Sequence, residues 1–350
     1  MILTPKQQKI LALFLKKETA KSSEIHAEIS KSGETVSLVT IKRALSKMVD
    51  VGVLSSVGSG RSASYNISSI GRIFADVDAR SYCSADPDKR YGLKKYNFDL
   101  LRSLPKRIFS DNELLDLDSA TAEYKKRTEQ SPQAIQKKEL ERMIIELSWK
   151  SSKIEGNTYT LLDTEKLILE NKEAEGHGKK EAQMILNHKD AFNYIHSNSD
   201  QFKTVTKKNL EDLHAILAKD LGVGLGLREK PVGVVGSIYS PLDNIYQITE
   251  AVEALGTAVS RMSTAYDKSL AALLGVGYIQ PFEDGNKRTS RLMANALLLS
   301  HGLAPLSYRS IDENEYREAM LVFYELNSAM PFKKIFMSQY DFAARNYAVK

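Results

Sequence analysis

Residues 280–291, QPFEDGNKRTSR, carry the most informative pattern of the sequence. Asp284 and Gly285 favour a turn, and the residues after them predict a helix that begins at Asn286 or Lys287. The first turn of a helix carries unpaired N–H groups and the positive end of the helix dipole. The loop and the helix start together therefore predict an anion site.

The residues around this helix start make the expected anion more specific. Arg288 and Arg291 are three positions apart, so they share one helix face, and guanidinium groups suit phosphate oxygens. Gly285 allows a close approach of the backbone to a ligand. Asp284 is a hard oxygen ligand of the kind Mg²⁺ takes together with phosphate oxygens. The stretch therefore predicts a Mg²⁺–polyphosphate site with Asp284 as the metal ligand.

This stretch resembles the active-site motif of the Fic (Fido) family, His-x-Phe-x-Asp/Glu-Gly-Asn-Gly/Lys-Arg-x-x-Arg. The resemblance implies AMP transfer from ATP to a hydroxyl side chain of a target protein, with ATP and Mg²⁺ as cofactors. It implies that Asp284 holds Mg²⁺, that Gly285 and Asn286 cradle the α-phosphate, and that Phe282 anchors the loop in the core. The nucleotide-binding residues it implies are Gly285, Asn286, Lys287, Arg288 and Arg291.

One position departs from the family motif. Gln280 stands where the family has the histidine that takes the proton of the attacking hydroxyl. A neutral amide accepts a hydrogen bond but holds no proton at a useful pH. General-base assistance is worth about 10²–10⁴-fold in rate, so the sequence predicts a large loss of AMP transfer.

A second motif lies earlier in the chain. Residues 151–157, SSKIEGN, are similar to the family's inhibitory motif, Ser/Thr-x-x-x-Glu-Gly/Asn. Ser151 and Glu155 share one helix face, and Gly156 favours a helix end. The resemblance implies an N-terminal inhibitory helix, about residues 140–157, whose Glu155 pairs with Arg291 and denies it to the γ-phosphate of ATP.

A third similarity concerns a segment between the two motifs. Gly226-Leu227-Arg228 and residues 234–241 resemble the region of the Fic flap, which pins a target's backbone by strand addition. The valine-rich stretch 231–246 is expected to be extended. The residues assigned to target docking are Val234, Val235, Ile238 and Tyr239.

Charge singles out the start of the chain. Of 49 Lys and Arg and 44 Asp and Glu residues, the first 67 positions hold ten basic and five acidic ones. The remaining positions therefore balance at 39 of each sign, and the whole net charge of +5 lies in the first fifth of the sequence. A basic module on a neutral body suggests a polyanion-binding head.

Pattern in this basic module predicts helix, helix, helix and hairpin, which resembles a winged helix-turn-helix domain. The third helix, about 37–51, buries Ile41, Leu45 and Met48 at helical spacing. In that fold the third helix enters the DNA major groove. The DNA-binding residues this implies are Ser37, Thr40, Lys42, Arg43, Lys47 and Arg61. Use of the module for protein contact is the alternative.

The predicted fold class is mainly α, a Fic-type helical bundle with a short β-hairpin flap, preceded by a small α+β winged helix-turn-helix domain. The predicted domains are 1–68 for the winged helix, 69–131 for a linker and helical docking segment, and 132–350 for the Fic domain. The active-site loop within the last is 280–291.

Composition limits the cellular compartment expected for the protein and the kinds of site it can form. Cys83 is the single cysteine of 350 residues, so an internal disulfide and cysteine zinc sites are excluded and a reducing cytoplasm is expected. The longest uncharged apolar stretch, near 270–279, is about half of the roughly 20 residues that a spanning helix needs. We expect a cytoplasmic protein with no membrane partner that binds double-stranded DNA and forms a homodimer.

Four functions fit the residues. The first is a nucleotide-binding regulator with a DNA-binding head, its AMP transfer impaired by Gln280 and restrained by Glu155. The second is an active AMP transferase autoinhibited by Glu155. The third is a transcription regulator whose Fic body only dimerises. The fourth is hydrolysis of an AMP–protein bond, with Glu155 orienting the attacking water.

Overall fold

The computed structural model describes residues 3–31, 33, 35–58 and 62–349. Its contacts divide the chain into two compact units. The first comprises residues 1–108, 233–240 and 318–332, and the second comprises 109–232, 241–317 and 333–350. These units differ from the predicted domain boundaries, which stay a prediction.

The first unit begins with helices around a small sheet. The elements are α1 (Pro5–Lys17), β1 (Thr19–Lys21), α2 (Ser22–Lys31), α3 (Leu38–Asp50), β2 (Leu54–Val57) and β3 (Ser64–Ile67). The strands form an antiparallel sheet in the order β1-β3-β2, with Ala20 opposite Tyr65 and Ser56 opposite Tyr65 on the other side. The sequence predicted the three helices and the hairpin but missed β1.

Local chemistry sets the ends of these helices. The Thr4 hydroxyl accepts from the Gln7 amide and the Gln7 side chain accepts from the Thr4 amide, which forms a capping box before Pro5. The Ser37 hydroxyl caps α3 by accepting from the Thr40 amide at 3.2 Å. The predicted stripe of α3 is buried in the unit's core.

The rest of the first unit contains short helices. They are α4 (Ser69–Ile73), α5 (Ala79–Cys83) and α6 (Phe98–Arg102), with a 3₁₀ turn at Pro87–Lys89. Phe74, Ala75, Val77 and Tyr82 belong to the same hydrophobic core as the first three helices. Residues 69–108 lie within the first unit, and the linker and helical docking segment at 69–131 stays a prediction.

The predicted β-hairpin flap is wrong for the described chain. Residues 233–240 form no strand pair, and the one ladder contact is a parallel bridge between Ser240 and Lys95. The reason is that other groups take their hydrogen bonds: the Ser237 amide donates to the Val234 carbonyl within a turn, and the Ile238 amide donates to the Glu325 carboxylate.

Helices make up the second unit. They include α7 (Asp111–Gln130), α8 (Gln133–Ile154), α9 (Leu161–Glu170), α10 (Lys179–Ser197), α11 (Lys207–Ala218), α12 (Ile245–Arg261), α13 (Ala265–Ile279) and α14 (Asn286–Leu299). α15 (Glu313–Leu326) and α16 (Met330–Asn346) complete the chain. From Tyr266 to Ile279, α13 is buried at every position except Lys268, as expected of a central helix.

The mainly α class is confirmed for the described residues. The sequence pattern predicts helices over 132–154, 180–198, 207–218 and 287–301, and the observed bounds of α8, α10, α11 and α14 agree with these within two residues. Two elements differ: the pattern predicts a helix over 248–266, whereas α12 begins at Ile245 and ends at Arg261, and the pattern does not predict α16. Across the described ranges, none of the helices combines the length and the apolar character needed to cross a membrane.

Candidate functional site

The site is built where α13 ends and α14 begins. Gln280 ends α13 in a left-handed conformation, with φ of 51°, and Gly285 adopts φ of 77° immediately before α14. Left-handed backbone at a non-glycine residue costs energy and collects at functional sites. The turn at Gly285 leaves the first N–H groups of α14 free of a side-chain cap. The predicted helix start at Asn286 is therefore in place.

Asn286 closes the loop on itself. Its Oδ1 accepts from the Phe282 amide and its Nδ2 donates to the Phe282 carbonyl, both at 2.8 Å. Phe282 is fully buried. The sequence assigned the Asn286 amide to the α-phosphate, but this side chain is already used by the loop. We correct that assignment: only the backbone N–H of Asn286 is open to a phosphate.

A histidine that the sequence left unassigned supports the loop. The His214 ring, on α11, stacks on the Phe282 ring with centroids 3.8 Å apart and planes 2° apart. Its Nε2 lies 3.0 Å from the Asp284 carbonyl oxygen. Burial lowers the pKa of His214, so the ring is neutral near pH 7. His214 and Asp284 are 70 residues apart in sequence, so the sequence pattern does not predict their contact.

Arg228 ties the start of the loop to neighbouring segments of the second unit. Its side chain donates to the Gln280 carbonyl at 2.6 Å and to the carbonyls of Lys230 and Leu242. Its amide donates to the Pro281 carbonyl at 3.0 Å. The side chain is almost completely buried. In the sequence, Arg228 belongs to the segment that resembles the Fic flap. In the structure, it contacts the first two residues of the loop.

Residues 151–157 and α14 meet at Glu155. The Glu155 carboxylate accepts from Arg291 Nη2 at 3.0 Å and from Lys287 Nζ at 3.3 Å, one cation on each oxygen. Arg291 Nε also donates to the Ser151 hydroxyl at 2.9 Å, and Arg291 Nη2 donates to the Ser151 carbonyl at 2.8 Å. α8 ends at Ile154, and Gly156 follows with φ of 94°.

Charge neighbours set the ionisation of this cluster. Burial alone would raise the pKa of the Glu155 carboxyl, but Arg291 and Lys287 outweigh it and hold the pKa below its usual range. Burial would lower the pKa of Arg291, but Tyr316 and Glu155 raise it above its usual value. The Arg291 guanidinium lies 5.4 Å from the Tyr316 ring centroid. Both ions of the pair are therefore charged near pH 7.

Arg288 retains a free donor. Its side chain is buried, and its Nη2 donates to the exposed Asp284 carboxylate at 3.2 Å. Its Nη1 is buried and has no hydrogen-bond partner within the described part of the chain. An unpaired buried guanidinium nitrogen is costly, so this donor fits an anionic ligand.

The metal prediction rests on Asp284 alone. Its two carboxylate oxygens accept from the Gly285 amide at 2.6 Å and from Arg288, and 68% of its side chain is exposed. Among residues 3–31, 33, 35–58 and 62–349, no group of three His, Cys, Asp or Glu residues is arranged to hold a metal. A single exposed carboxylate fits Mg²⁺ only when phosphate oxygens supply further ligands.

Gln280 points away from solvent. Its side-chain Nε2 donates to the Gly277 carbonyl at 2.6 Å, and 7% of the residue is exposed. The Gln280 side chain thus caps the C-terminal end of α13. Neither its chemistry nor its direction favours proton abstraction from an incoming hydroxyl.

The residues assigned to target docking lie in the first unit. Val235 is 99% exposed, and Val234 and Ile238 are half-buried. Tyr239 is buried and stacks on Tyr324 with centroids 6.0 Å apart. Tyr239 is therefore a core residue of this unit, and we correct its assignment as a docking side chain.

The residues assigned to DNA binding are exposed where they are described. Thr40, Lys42, Arg43 and Lys47 lie on the exposed face of α3. Ser37 is exposed, but its hydroxyl is used as the cap of α3. Arg61 lies outside the described residues.

Comparison with known proteins identifies the second unit's central region. Residues 204–298 match the model of the Fic/DOC family. The chain is 29% identical over 167 residues to proteins named protein adenylyltransferase Fic from Drosophila yakuba and Drosophila melanogaster. This match covers 47% of the chain and 34% of each relative, so it spans about a third of their length.

Solved structures share the fold. Fic-1 from C. elegans has a TM-score of 0.56 at 17% identity, over 67% of this chain and 70% of that one. A Fic domain-containing signalling protein from Bacteroides thetaiotaomicron has a TM-score of 0.55 at 20% identity, over 65% and 94%. Residues 204–298 thus match the Fic/DOC family model, and the chain shares its fold with these solved Fic structures.

Proposed function

We propose that this protein is a nucleotide-binding Fic regulator with a winged helix-turn-helix head that binds double-stranded DNA. Its AMP-transfer activity is weakened by Gln280 and restrained by Glu155. The observation that carries the proposal is the pairing of the Glu155 carboxylate with Arg291 and Lys287, two cations at the start of an anion-binding helix. A carboxylate there occupies the positions that a polyphosphate would need.

Three groups favour ATP as the ligand. Gly285 turns the backbone so that the first N–H groups of α14 are uncapped, and Arg288 Nη1 is a buried donor that lacks a partner among the described residues. Arg291 becomes a further phosphate donor once Glu155 leaves. Mg²⁺ on Asp284, when bound with the nucleotide, would neutralise phosphate charge.

The same geometry explains why transfer is expected to be weak. The attacking hydroxyl of a target needs a base, and the Gln280 amide is neutral and bonded to the Gly277 carbonyl. His214, the histidine that contacts the loop, is 1% exposed with its Nε2 on the Asp284 carbonyl. It is therefore unsuited to take a proton from a target.

The DNA part of the proposal rests on the first unit. Its α-β-α-α-β-β order and its three-stranded sheet are typical of winged helix domains, and the net charge of the chain lies in its first 67 residues. Lys42, Arg43 and Lys47 are exposed on one face of α3. They would neutralise phosphates along a major groove. Nucleotide occupancy would then regulate DNA binding in a homodimer.

Titration calorimetry with MgATP tests the nucleotide part. We expect weak binding to the unchanged protein and at least about tenfold tighter binding to Glu155→Gly, because the variant frees Arg291 and Lys287. The matched control is Glu170→Gly, which removes an exposed glutamate at the end of α9 and should bind as the unchanged protein does. Absence of MgATP binding in Glu155→Gly would refute the proposal.

A second candidate is an AMP transferase that works slowly without the motif histidine. The names of the Drosophila relatives favour it. In that case Glu155→Gly alone should transfer label from α-³²P-ATP to protein. If labelling appears only after Gln280→His is added, the first proposal is supported instead.

A further inference from the structure

His214 holds the phosphate loop through two separate contacts. Its ring lies flat on Phe282, with an interplanar angle of 2°, and its Nε2 reaches the Asp284 carbonyl at 3.0 Å. A methyl group built at Gly285 would lie 3.6 Å and 3.7 Å from the ring's Cδ2 and Nε2. The imidazole therefore packs directly against the turn that precedes α14.

The partner of Nε2 fixes the tautomer. A carbonyl oxygen only accepts hydrogen bonds, so Nε2 must carry the proton and donate it. In the neutral ring, Nδ1 is then the unprotonated nitrogen; it is buried and has no partner among the described residues. A buried acceptor without a donor costs free energy. His214 therefore does not occupy its position for the sake of folding stability alone.

The bond restrains the Asp284–Gly285 peptide. The Asp284 carbonyl belongs to the peptide unit whose N–H is that of Gly285, so fixing one end of the unit fixes the direction of the other. Gly285 is left-handed at φ of 77°, a conformation that glycine leaves readily because it has no Cβ. The Gly285 N–H of this peptide donates to the Asp284 carboxylate at 2.6 Å, and His214 holds the carbonyl end through a donor from another helix.

We propose that His214 is the positioning residue of the phosphate loop: its imidazole, through the Nε2–H bond to the Asp284 carbonyl, preforms the loop that receives the nucleotide phosphates. This inference rests on the proposed nucleotide function for its ligand, but the loop geometry it explains is present without the nucleotide. His214 acts through Asp284 and Gly285 and does not replace the missing base at position 280.

Two substitutions separate the hydrogen bond from the ring stack. His214→Phe keeps an aromatic ring on Phe282 and removes the donor. His214→Gln keeps an N–H donor and removes the ring. Leu255→Ala, which deletes a buried side chain packed near Gly275 on α13, is the control for a general loss of stability.

The first measurement needs no nucleotide. Amide hydrogen exchange of the peptide 281–288 is followed by mass spectrometry in the full chain. We expect about three- to tenfold faster exchange in His214→Phe, the factor that one neutral hydrogen bond gives, and less than about twofold change in His214→Gln and Leu255→Ala. The melting temperature should fall in His214→Gln and Leu255→Ala, and stay near that of the unchanged protein in His214→Phe.

The second measurement is MgATP affinity in the Glu155→Gly background. His214→Phe should weaken it about three- to tenfold, and His214→Gln should restore it to within about twofold. Unchanged loop exchange in His214→Phe, or loop exchange that follows the melting temperature across all three variants, would overturn the inference. If Glu155→Gly binds no MgATP, the proposed function falls, while the exchange measurement still decides the role of His214.

Discussion

Glu155 and Arg291 form a buried ion pair with 3.0 Å between Oε1 and Nη2, across 136 residues of sequence. The Arg291 side chain is completely buried, and the Glu155 side chain is 19% exposed. Ser151 adds two acceptors to the same guanidinium. The end of α8 is therefore held on the first turns of α14 by charge and by hydrogen bonds together.

Removing the Glu155 charge should cost substantial stability. Glu155→Gln leaves the buried Arg291 without its counter-ion, and breaking a buried pair costs about 3–5 kcal/mol. We expect a fall of about 3 kcal/mol in the free energy of unfolding, measured with urea. Glu123→Gln breaks a comparable but exposed pair with Arg345 and should cost less than about 1 kcal/mol. Equal effects of the two substitutions would contradict the account.

The pH dependence of stability follows from the depressed pKa of Glu155. The folded pKa lies below the unfolded value of about 4.3, so the pair contributes fully at neutral pH. Its contribution is lost as pH falls through the unfolded pKa toward the folded one. The difference in unfolding free energy between the unchanged protein and Glu155→Gln should therefore shrink from pH 6 to pH 3. A constant difference across this range would show that the carboxylate is not the stabilising group.

A substitution at Asn286 tests the phosphate loop independently of the Glu155–Arg291 ion pair. Asn286→Asp keeps the acceptor for the Phe282 amide, removes the donor to the Phe282 carbonyl, and adds a negative charge where phosphates are expected. In the Glu155→Gly background we expect MgATP affinity to fall at least about tenfold, measured by calorimetry. Asn314→Asp, at an exposed position in the first turn of α15, is the control and should leave affinity unchanged. Unaltered affinity in Asn286→Asp would place the phosphates elsewhere.

The proposed binding of DNA by the exposed face of α3 can be tested through its salt dependence. Replacing Lys42, Arg43 and Lys47 together with alanine should weaken binding to a random-sequence duplex. It should also lower the slope of log affinity against log salt by about 0.9 for each lost phosphate contact, followed by fluorescence anisotropy.

A charge-matched variant controls for the change in net charge. Alanine at Lys137, Lys138 and Lys172, which are exposed in the second unit, removes the same charge and should leave duplex affinity nearly unchanged. Equal losses in the two triple variants would mean that net charge, and not the face of α3, attracts DNA.

Much of the site could be predicted because its residues are consecutive. The loop and the start of α14 lie within residues 280–291, and the i, i+4 spacing predicted that Ser151 and Glu155 lie on one side where α8 ends. Helical periodicity also gave most helices of the second unit. Local pattern is sufficient where the determinants are local.

The remaining features depend on contacts between distant residues. The sequence around His214 contains no motif that points to a role at the loop, and only tertiary packing brings its side chain to Asp284. The segment 233–240 has the β propensity of a strand, but the Glu325 carboxylate accepts from the Ile238 amide and so takes a bond that a partner strand would make. Tertiary contacts thus override a propensity of this size.

Three statements are central. The loop and α14 can bind phosphates, Glu155 blocks that binding by pairing with Arg291, and Gln280 cannot serve as the general base. Self-labelling with α-³²P-ATP, compared in the unchanged protein, Glu155→Gly, Gln280→His and the double variant, tests all three parts at once. We expect the double variant to label at least about 100-fold faster than Glu155→Gly alone, since it regains a general base. Equal labelling of Glu155→Gly and the double variant, or none in the double variant, would contradict it.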